Sequence, residues 1–340
     1  MTDVTAEEAE RQALAKAEEI PLGRYGLQLG TVGVGLVLLI IFMLGAPDTW
    51  LSSGIYRSLM STVPFTALMA LALTMLIIGR EIDLSFGSVM AVGTLVFVET
   101  SDAVGLVPVG LLAGLLAGTA VGLLNGVIVV RLGIPSLVAT IGTLFFWRGV
   151  VLVVTDGVGE TTVDMRGSFV YELLVGRLDV PLLGRIPAQM LWLLALTVVL
   201  WFLLNRHRLG AHTYLVGDNP DSARMMGVNT ARVRMTLFAL MGLFAAFAGI
   251  VATFEQNYFW PTLGEGQLLP TISTVFLGGT SVFGGTGTIF GTAVAAFIIG
   301  AIEPGIVSLD LTGFYTQVIY GAIIVVSLAM QATLRKRITR

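Results

Sequence analysis

The sequence predicts an all-α polytopic membrane protein of about ten transmembrane helices, arranged as two inverted five-helix halves. Three observations predict this. Hydrophobic residues make up 55% of the 340 and charged residues only 12%, roughly half the ~25% charged usage of soluble domains. Apolar runs close to the ~20 residues that cross a bilayer recur along the chain. The two shortest, Gly-interrupted runs are the third and the eighth, five apart, as inverted repeats with broken helices require.

Taken in order, residues 1–26 are acidic through Asp3, Glu7, Glu8, Glu10, Glu18 and Glu19. A secretory signal begins with positive charge, so this is read as a cytoplasmic tail. Its alanine-rich part, 6–19, with Glu7 and Arg11 one turn apart, reads as a short solvent-facing helix. The membrane-spanning region then covers 27–334. Spans are expected near 27–46, 58–78, 84–98, 106–130, 134–154, 188–204, 234–254, 268–283, 288–307 and 316–334. Residues 155–187 form a long external loop, 205–233 a cytoplasmic loop and 335–340 a basic cytoplasmic tail.

Charge orients these spans. With the N-terminus inside, fourteen of the nineteen basic residues fall on the cytoplasmic side, as the positive-inside rule requires. Arg57, Arg166, Arg177 and Arg185 fall outside, and Arg148 lies within a span. The even number of spans follows from this segregation. In the fourth span Gly110, Gly114, Gly118, Gly122 and Gly126 recur every four residues. That spacing keeps them on one narrow face, a groove into which another helix can pack closely.

Several chemistries are excluded. The chain has no cysteine, hence no disulfide framework and no thiolate chemistry. A nucleotide-binding loop ends in Gly-Lys-Ser/Thr, and neither Lys16 nor Lys336 follows a glycine. His207 and His212 are five apart without nearby carboxylates, so no metal site is expected. Nothing basic enough for nucleic acid is present. Gly284-Gly285-Thr286-Gly287 looks like a phosphate loop, but no strand precedes it, and it reads as a tight turn.

Two groups of residues remain. The polar stretch Asn205–Arg234 carries five arginines and both histidines. Within it, Asp218 to Met226 reads as a turn followed by one short helix, with Asp or Asn as cap, Pro220 in the first turn and Gly227 as stop. So short a helix is marginal alone and needs a partner surface. At membrane depth ionisable groups are few, and such groups are costly and often functional. Arg148 is expected to snorkel outward. Glu255, Gln256 and Asn257 are candidates for the mouth of a passage. Asn125 is a candidate either for its lining or for a bond between helices. Asp83 and Ser85 are read as capping the third span. No chain of acids crosses the membrane, which favours a neutral polar cargo over ion coupling.

Four stretches resemble the permease subunits of bacterial ABC importers for ribose, xylose, arabinose and galactose. They are Gly79-Arg80-Glu81-Ile82-Asp83-Leu84-Ser85-Phe86-Gly87-Ser88; Asn125-Gly126-Val127 to Arg131, then Ile134 to Thr143 with Arg148-Gly149; Gly217-Asp218-Asn219-Pro220 through Ala223-Arg224 to Gly227-Val228; and Leu277 to Ser281 with Gly284-Gly285 and Gly287-Thr288. The resemblance runs from about residue 55 to 332. It implies a fold of the type II ABC importer kind and a bacterial inner-membrane location with both termini cytoplasmic.

The resemblance also implies partners. One is a separate ABC ATPase subunit carrying the ATP and magnesium, with no cofactor bound by this chain. The others are a periplasmic or lipid-anchored sugar-binding protein and a second permease copy, identical or related, all within membrane lipid. By the same likeness Gly217, Asp218, Asn219, Pro220, Asp221, Ala223, Arg224, Met225, Met226 and Gly227 form the coupling segment for the ATPase. Arg166, Arg177 and Arg185 are candidates for docking the binding protein, although a plain solvent-exposed loop fits them equally. The function so implied is ATP-driven import of a monosaccharide or small polyol. The alternative is an ion-coupled secondary transporter.

Overall fold

A computed structural model describes residues 20–180 and 184–338. The helix expected at 6–19 lies outside the described residues. The helices are α1 (Ile20–Gly45), α2 (Pro47–Trp50), α3 (Ser53–Ile78), α4 (Phe86–Val104), α5 (Val107–Val130), α6 (Ser136–Thr155), α7 (Phe169–Val175), α8 (Ala188–Asn205), α9 (Arg208–Asp218), α10 (Pro220–Met225), α11 (Thr230–Gln256), α12 (Leu268–Leu277), α13 (Ile289–Ser308) and α14 (Tyr315–Ile338). Eight of them are long and apolar enough to cross a membrane, and shorter apolar stretches lie at Gly30–Gly45 and Leu268–Leu277. Together they occupy the ten expected places. Two details are corrected. The helix at the first span already begins at Ile20. The third span is a full helix of 19 residues, so only the eighth is short, with 10.

Two helices form the centre. In α3, 83% of the apolar window is buried, and in α11, 78%, which explains why both read as apolar all round rather than striped. The glycine face of α5 packs into a seam between α4 and α11. A Cβ on Gly114 would lie 2.6 Å from the Gly93 carbonyl oxygen, and one on Gly118 would lie 2.6 Å from that of Gly242. A Cβ on Gly122 would collide with the Phe238 carbonyl. Small residues on all three helices therefore bring the backbones together, as in lipid-embedded packing generally.

The two ends of the bundle differ. One carries the arginine-rich segment Arg206–Arg234 and is called here the basic end. At the opposite end a small irregular cap occupies most of the long loop expected at 155–187. Its strand β1 (Glu160–Thr161) pairs antiparallel with β4 (Tyr258–Phe259), and β2 (Arg177–Val180) pairs with β3 (Gly184–Pro187). Ser168 caps α7 by accepting the Tyr171 amide at 3.2 Å, and Trp192 donates to the Leu173 carbonyl at 2.9 Å.

Candidate functional site

The first candidate is the segment at the basic end. Two helices stand there instead of a turn and one helix. The α9 helix runs through Gly217 and Asp218, and the chain kinks at Asn219, whose side-chain oxygen accepts the amides of Asp221 and Ser222, both at 3.0 Å. That residue, not Asp218, is the cap of α10. Pro220 occupies the first helical position, where its missing N–H costs nothing. Gly227 ends the helix at φ +83°, with Val228 N–H donating to Ala223 at 3.0 Å, a closure that favours glycine.

This segment faces both ways. Ala223 is buried, whereas Met225 and Met226 are 83% and 68% exposed. Arg224 donates to the Thr230 hydroxyl at 3.2 Å and pairs with Asp221 at 2.9 Å. Inward, Gly217 lies so close to the bundle that any Cβ would collide with the Ile78 carbonyl. Tyr214 donates to the Gly287 carbonyl at 2.8 Å, and burial pushes its phenol above the ordinary value, keeping it a donor. Gly285 N–H donates to the Ile78 carbonyl at 2.9 Å. Gly284 and Gly285 take φ of +82° and +73°, so Gly284–Gly287 is a turn that seats α9 against the end of α3.

The second candidate is a junction deep in the bundle. After α3 the chain does not continue as helix. Residues 79–85 leave helical geometry, turning at Arg80 (φ +68°), and pass beside α6, with the Ile82 amide donating to Ser136 at 3.2 Å and that of Leu84 to Thr140 at 3.1 Å. From the opposite end, residues 260–267 descend to meet them. The descending turns meet the first turn of α4, where a Cβ on Gly87 would lie 2.7 Å from the Gly264 carbonyl oxygen. Arg148 ties the junction together. It donates to the carbonyls of Pro261, Gly87 (3.2 Å) and Leu263 (2.8 Å), and it pairs with Glu265 at 3.4 Å. Being only 9% exposed, Arg148 does not snorkel outward. It lies about 18 Å along α6 from Ser136, at ~1.5 Å per residue.

Ser85 holds the N-cap position of α4, its carbonyl accepting the Ser88 and Val89 amides, but neither it nor Asp83 caps the helix with a side-chain bond. Their side chains turn to each other at 2.6 Å and to Asn125, which donates to Ser85 at 2.8 Å and Asp83 at 3.2 Å. Asn125 is fully buried and joins α5 to the segment before α4. At the basic end Arg234 pairs with Glu81 at 3.2 Å, fastening the same segment to α11.

The candidates for the passage mouth divide. Glu255 is paired with Arg177 and accepts from Gln189 at 2.9 Å. Asn257, at φ +56°, accepts from Arg166 and from the Thr162 amide. These two acceptors hold the cap to α11. Arg166 and Arg177 are thereby engaged within the chain, while Arg185 pairs with Asp179 at 3.2 Å on an exposed hairpin. Gln256 instead lines a cavity of about 560 Å³ between α3, α12, α13 and α14. Sequence reasoning singled out only Gln256 of its lining, since the other polar residues are scattered over α3, the start of α12, α13 and α14. Among the described residues no group of His, Cys, Asp or Glu could hold a metal.

A bundle of this size, broken at mid-depth from both sides, with a polar cavity and an exposed helix at one end, defines a membrane transport subunit. Residues 55–328 match the model of the family described as the permease component of a branched-chain amino acid transport system. The chain belongs to that family. It is 30% identical over 302 residues to the ribose import permease protein RbsC of Escherichia coli K12, covering 86% of this chain and 89% of the relative. It is 31% identical over 312 residues to the autoinducer 2 import system permease protein LsrC of Salmonella choleraesuis, covering 91% and 87%. The LsrC protein of Photorhabdus luminescens is 32% identical over 276 residues, 81% of each chain. No solved structure matches the chain.

Proposed function

We propose that this permease moves a monosaccharide or similar small polyol into the cell, driven by a separate ABC ATPase that engages α9 and α10. The observation that carries the coupling is the exposure of Met225 and Met226 on a helix of 6 residues. Such a helix is marginal alone, and methionine adapts to irregular grooves. The cargo class rests on the similarity to permeases named for ribose and autoinducer 2 import.

In this reading the basic end faces the cytoplasm of a bacterial inner membrane and both termini lie there, in keeping with the positive-inside rule. ATP and magnesium belong to the ATPase, one copy to each permease. A second permease, identical or related, completes the pathway. A periplasmic or lipid-anchored binding protein docks on the β-rich cap, with Arg185 the most available of the three arginines. Closure of the ATPase pair pushes α9–α10, and the push reaches the end of α3 and the 281–287 turn through Gly217 and Tyr214. Glu81 and Arg234 pass it to the non-helical segment beside α6. The outcome is a switch of the pathway between outward- and inward-open states.

The test is a mild-detergent purification from native membranes with subunit stoichiometry by quantitative mass spectrometry. Recovery of a P-loop ATPase at one copy per permease is expected. Recovery of the intact permease with no ATPase overturns the reading in favour of an ion-coupled carrier.

A further inference from the structure

The cavity at the outer side of α12 has a lining unlike its surroundings. Thr62, Thr66, Gln256, Gln267, Glu303 and Gln317 face it among apolar residues of α3, α12, α13 and α14. Its volume of about 560 Å³ falls within the ~300–1,000 Å³ typical of small-molecule sites. Thr66 lies about 20 Å along α3 from Ser53, at ~1.5 Å per residue, and donates to Gln267 at 2.8 Å. Glu303 stands five residues inside the α13 terminus at Ser308, where Trp50 donates to the Ser308 hydroxyl at 2.9 Å.

Glu303 is exposed in the single chain and has no ionic partner among the described residues. A carboxylate at that depth facing lipid is costly. Glu265, paired with Arg148 at 3.4 Å yet with its side chain 58% exposed, stands beside Gly266, a residue that this cavity shares with the pocket at Arg148. An unpaired carboxylate at Glu303 therefore argues that this cavity meets water rather than hydrocarbon.

We propose that the cavity is the solute's passage through the outer half of the membrane, and that it is built for a neutral polyhydroxylated solute. This rests on the importer reading above. Amides and hydroxyls supply both donors and acceptors for sugar hydroxyls. Glu303 adds an acceptor and repels anions. No lysine or arginine lines the cavity, so the carboxylate of an amino acid finds no cation there. The lining thus favours a polyol over the amino acids after which the family is described.

The chain's lack of cysteine makes the test direct. Thr66→Cys is introduced into the full complex with its ATPase in membrane vesicles, and reaction with charged methanethiosulfonate reagents is timed. Val198→Cys, on the exposed apolar face of α8, is the control. Thr66→Cys is expected to react at least about tenfold faster than the control, since a thiol in apolar surroundings loses about a factor of ten in thiolate per pKa unit. The cationic reagent should outpace the anionic one, and adding Glu303→Gln should abolish that preference. Trapping the complex with ATP and vanadate should change the rate.

Reaction no faster than the control overturns the proposal, as does a rate indifferent to reagent charge. A rate indifferent to the trapped nucleotide also overturns it, since it marks a pocket off the pathway. If no ATPase accompanies the permease, the importer reading fails instead. The two failures are therefore distinct.

Discussion

Arg148 shows how much one side chain can hold. Its guanidinium fork meets three backbone carbonyls from two segments that enter from opposite ends. Backbone acceptors at that depth have no water to turn to, and each one left unpaired costs about 1–3 kcal/mol. Arg148→Met should therefore destabilise the purified protein by several kcal/mol, read as thermal unfolding in detergent. Glu265→Gln should cost less than about 1 kcal/mol, because its partly exposed pair contributes little. Lysine cannot reproduce the planar fork, so Arg148→Lys should fall between. Equal losses for Arg148→Met and Glu265→Gln would show that the ion pair, not the carbonyls, holds the junction.

Glu160 carries a second prediction at this scale. Burial, then the nearby Glu99 and Asp102, push its carboxyl above the ordinary 4.5. A raised acid binds more protons folded than unfolded, so its contribution is fully present below 4.5 and is lost as pH rises through the folded value. The cap should therefore tighten on acidification from neutral pH, with slower amide exchange around Thr161 and Tyr258. Glu160→Gln should flatten that dependence, and an unchanged pH profile in the variant would place the effect elsewhere.

Among the elements, the glycine seam was legible because a period of four on an apolar helix leaves one groove and no other use for it. The structure supplies the partners, Gly93 and Gly242, which no single-span pattern could name. A Cβ at Gly118 would lie 2.4 Å from that of Ala246. Gly118→Ala should thus cost about 1–3 kcal/mol through overpacking, despite alanine's better helix propensity. Gly142→Ala, where nothing lies within 4 Å, should be neutral or slightly stabilising. Melting temperatures of the two variants decide this, and a tolerated Gly118→Ala would mean that the seam is looser than drawn.

Less legible was the course of the chain between α3 and α4. The polar Asp83 and Ser85 look like a helix cap in sequence, because capping is the common local use of those residues. Only the distant Asn125 and the row of α6 hydroxyls at Ser136 and Thr140 reveal a non-helical segment held inside the bundle. Long-range pairing of this kind leaves no periodic trace. Arg148 was misread for the same reason, since its carbonyl partners at Pro261 and Leu263 lie more than a hundred residues away.

Across the whole molecule, the basic end and the junction are joined by short-range contacts. Gly217 abuts the Ile78 carbonyl, the chain continues directly through the non-helical residues 79–85, and these lead into the first turn of α4, where Gly87 lies against Gly264. A displacement of α9–α10 thus has a direct covalent and packed path to the place where the two broken segments meet. Met225 and Met226 stand outside this path, fully on the surface, so changing them should alter docking and nothing else. Met225→Asp with Met226→Asp should leave the unfolding free energy within about 0.5 kcal/mol, as surface changes usually do. The doubly charged face should nonetheless cut recovery of the ATPase and uptake together by at least about tenfold, the equivalent of 1.4 kcal/mol of lost binding. If the ATPase still co-purifies in full while uptake falls, these methionines transmit motion without contributing affinity. If neither changes, the ATPase seats elsewhere on the basic end, and Arg206, Arg208 and Arg232 become the next positions to alter.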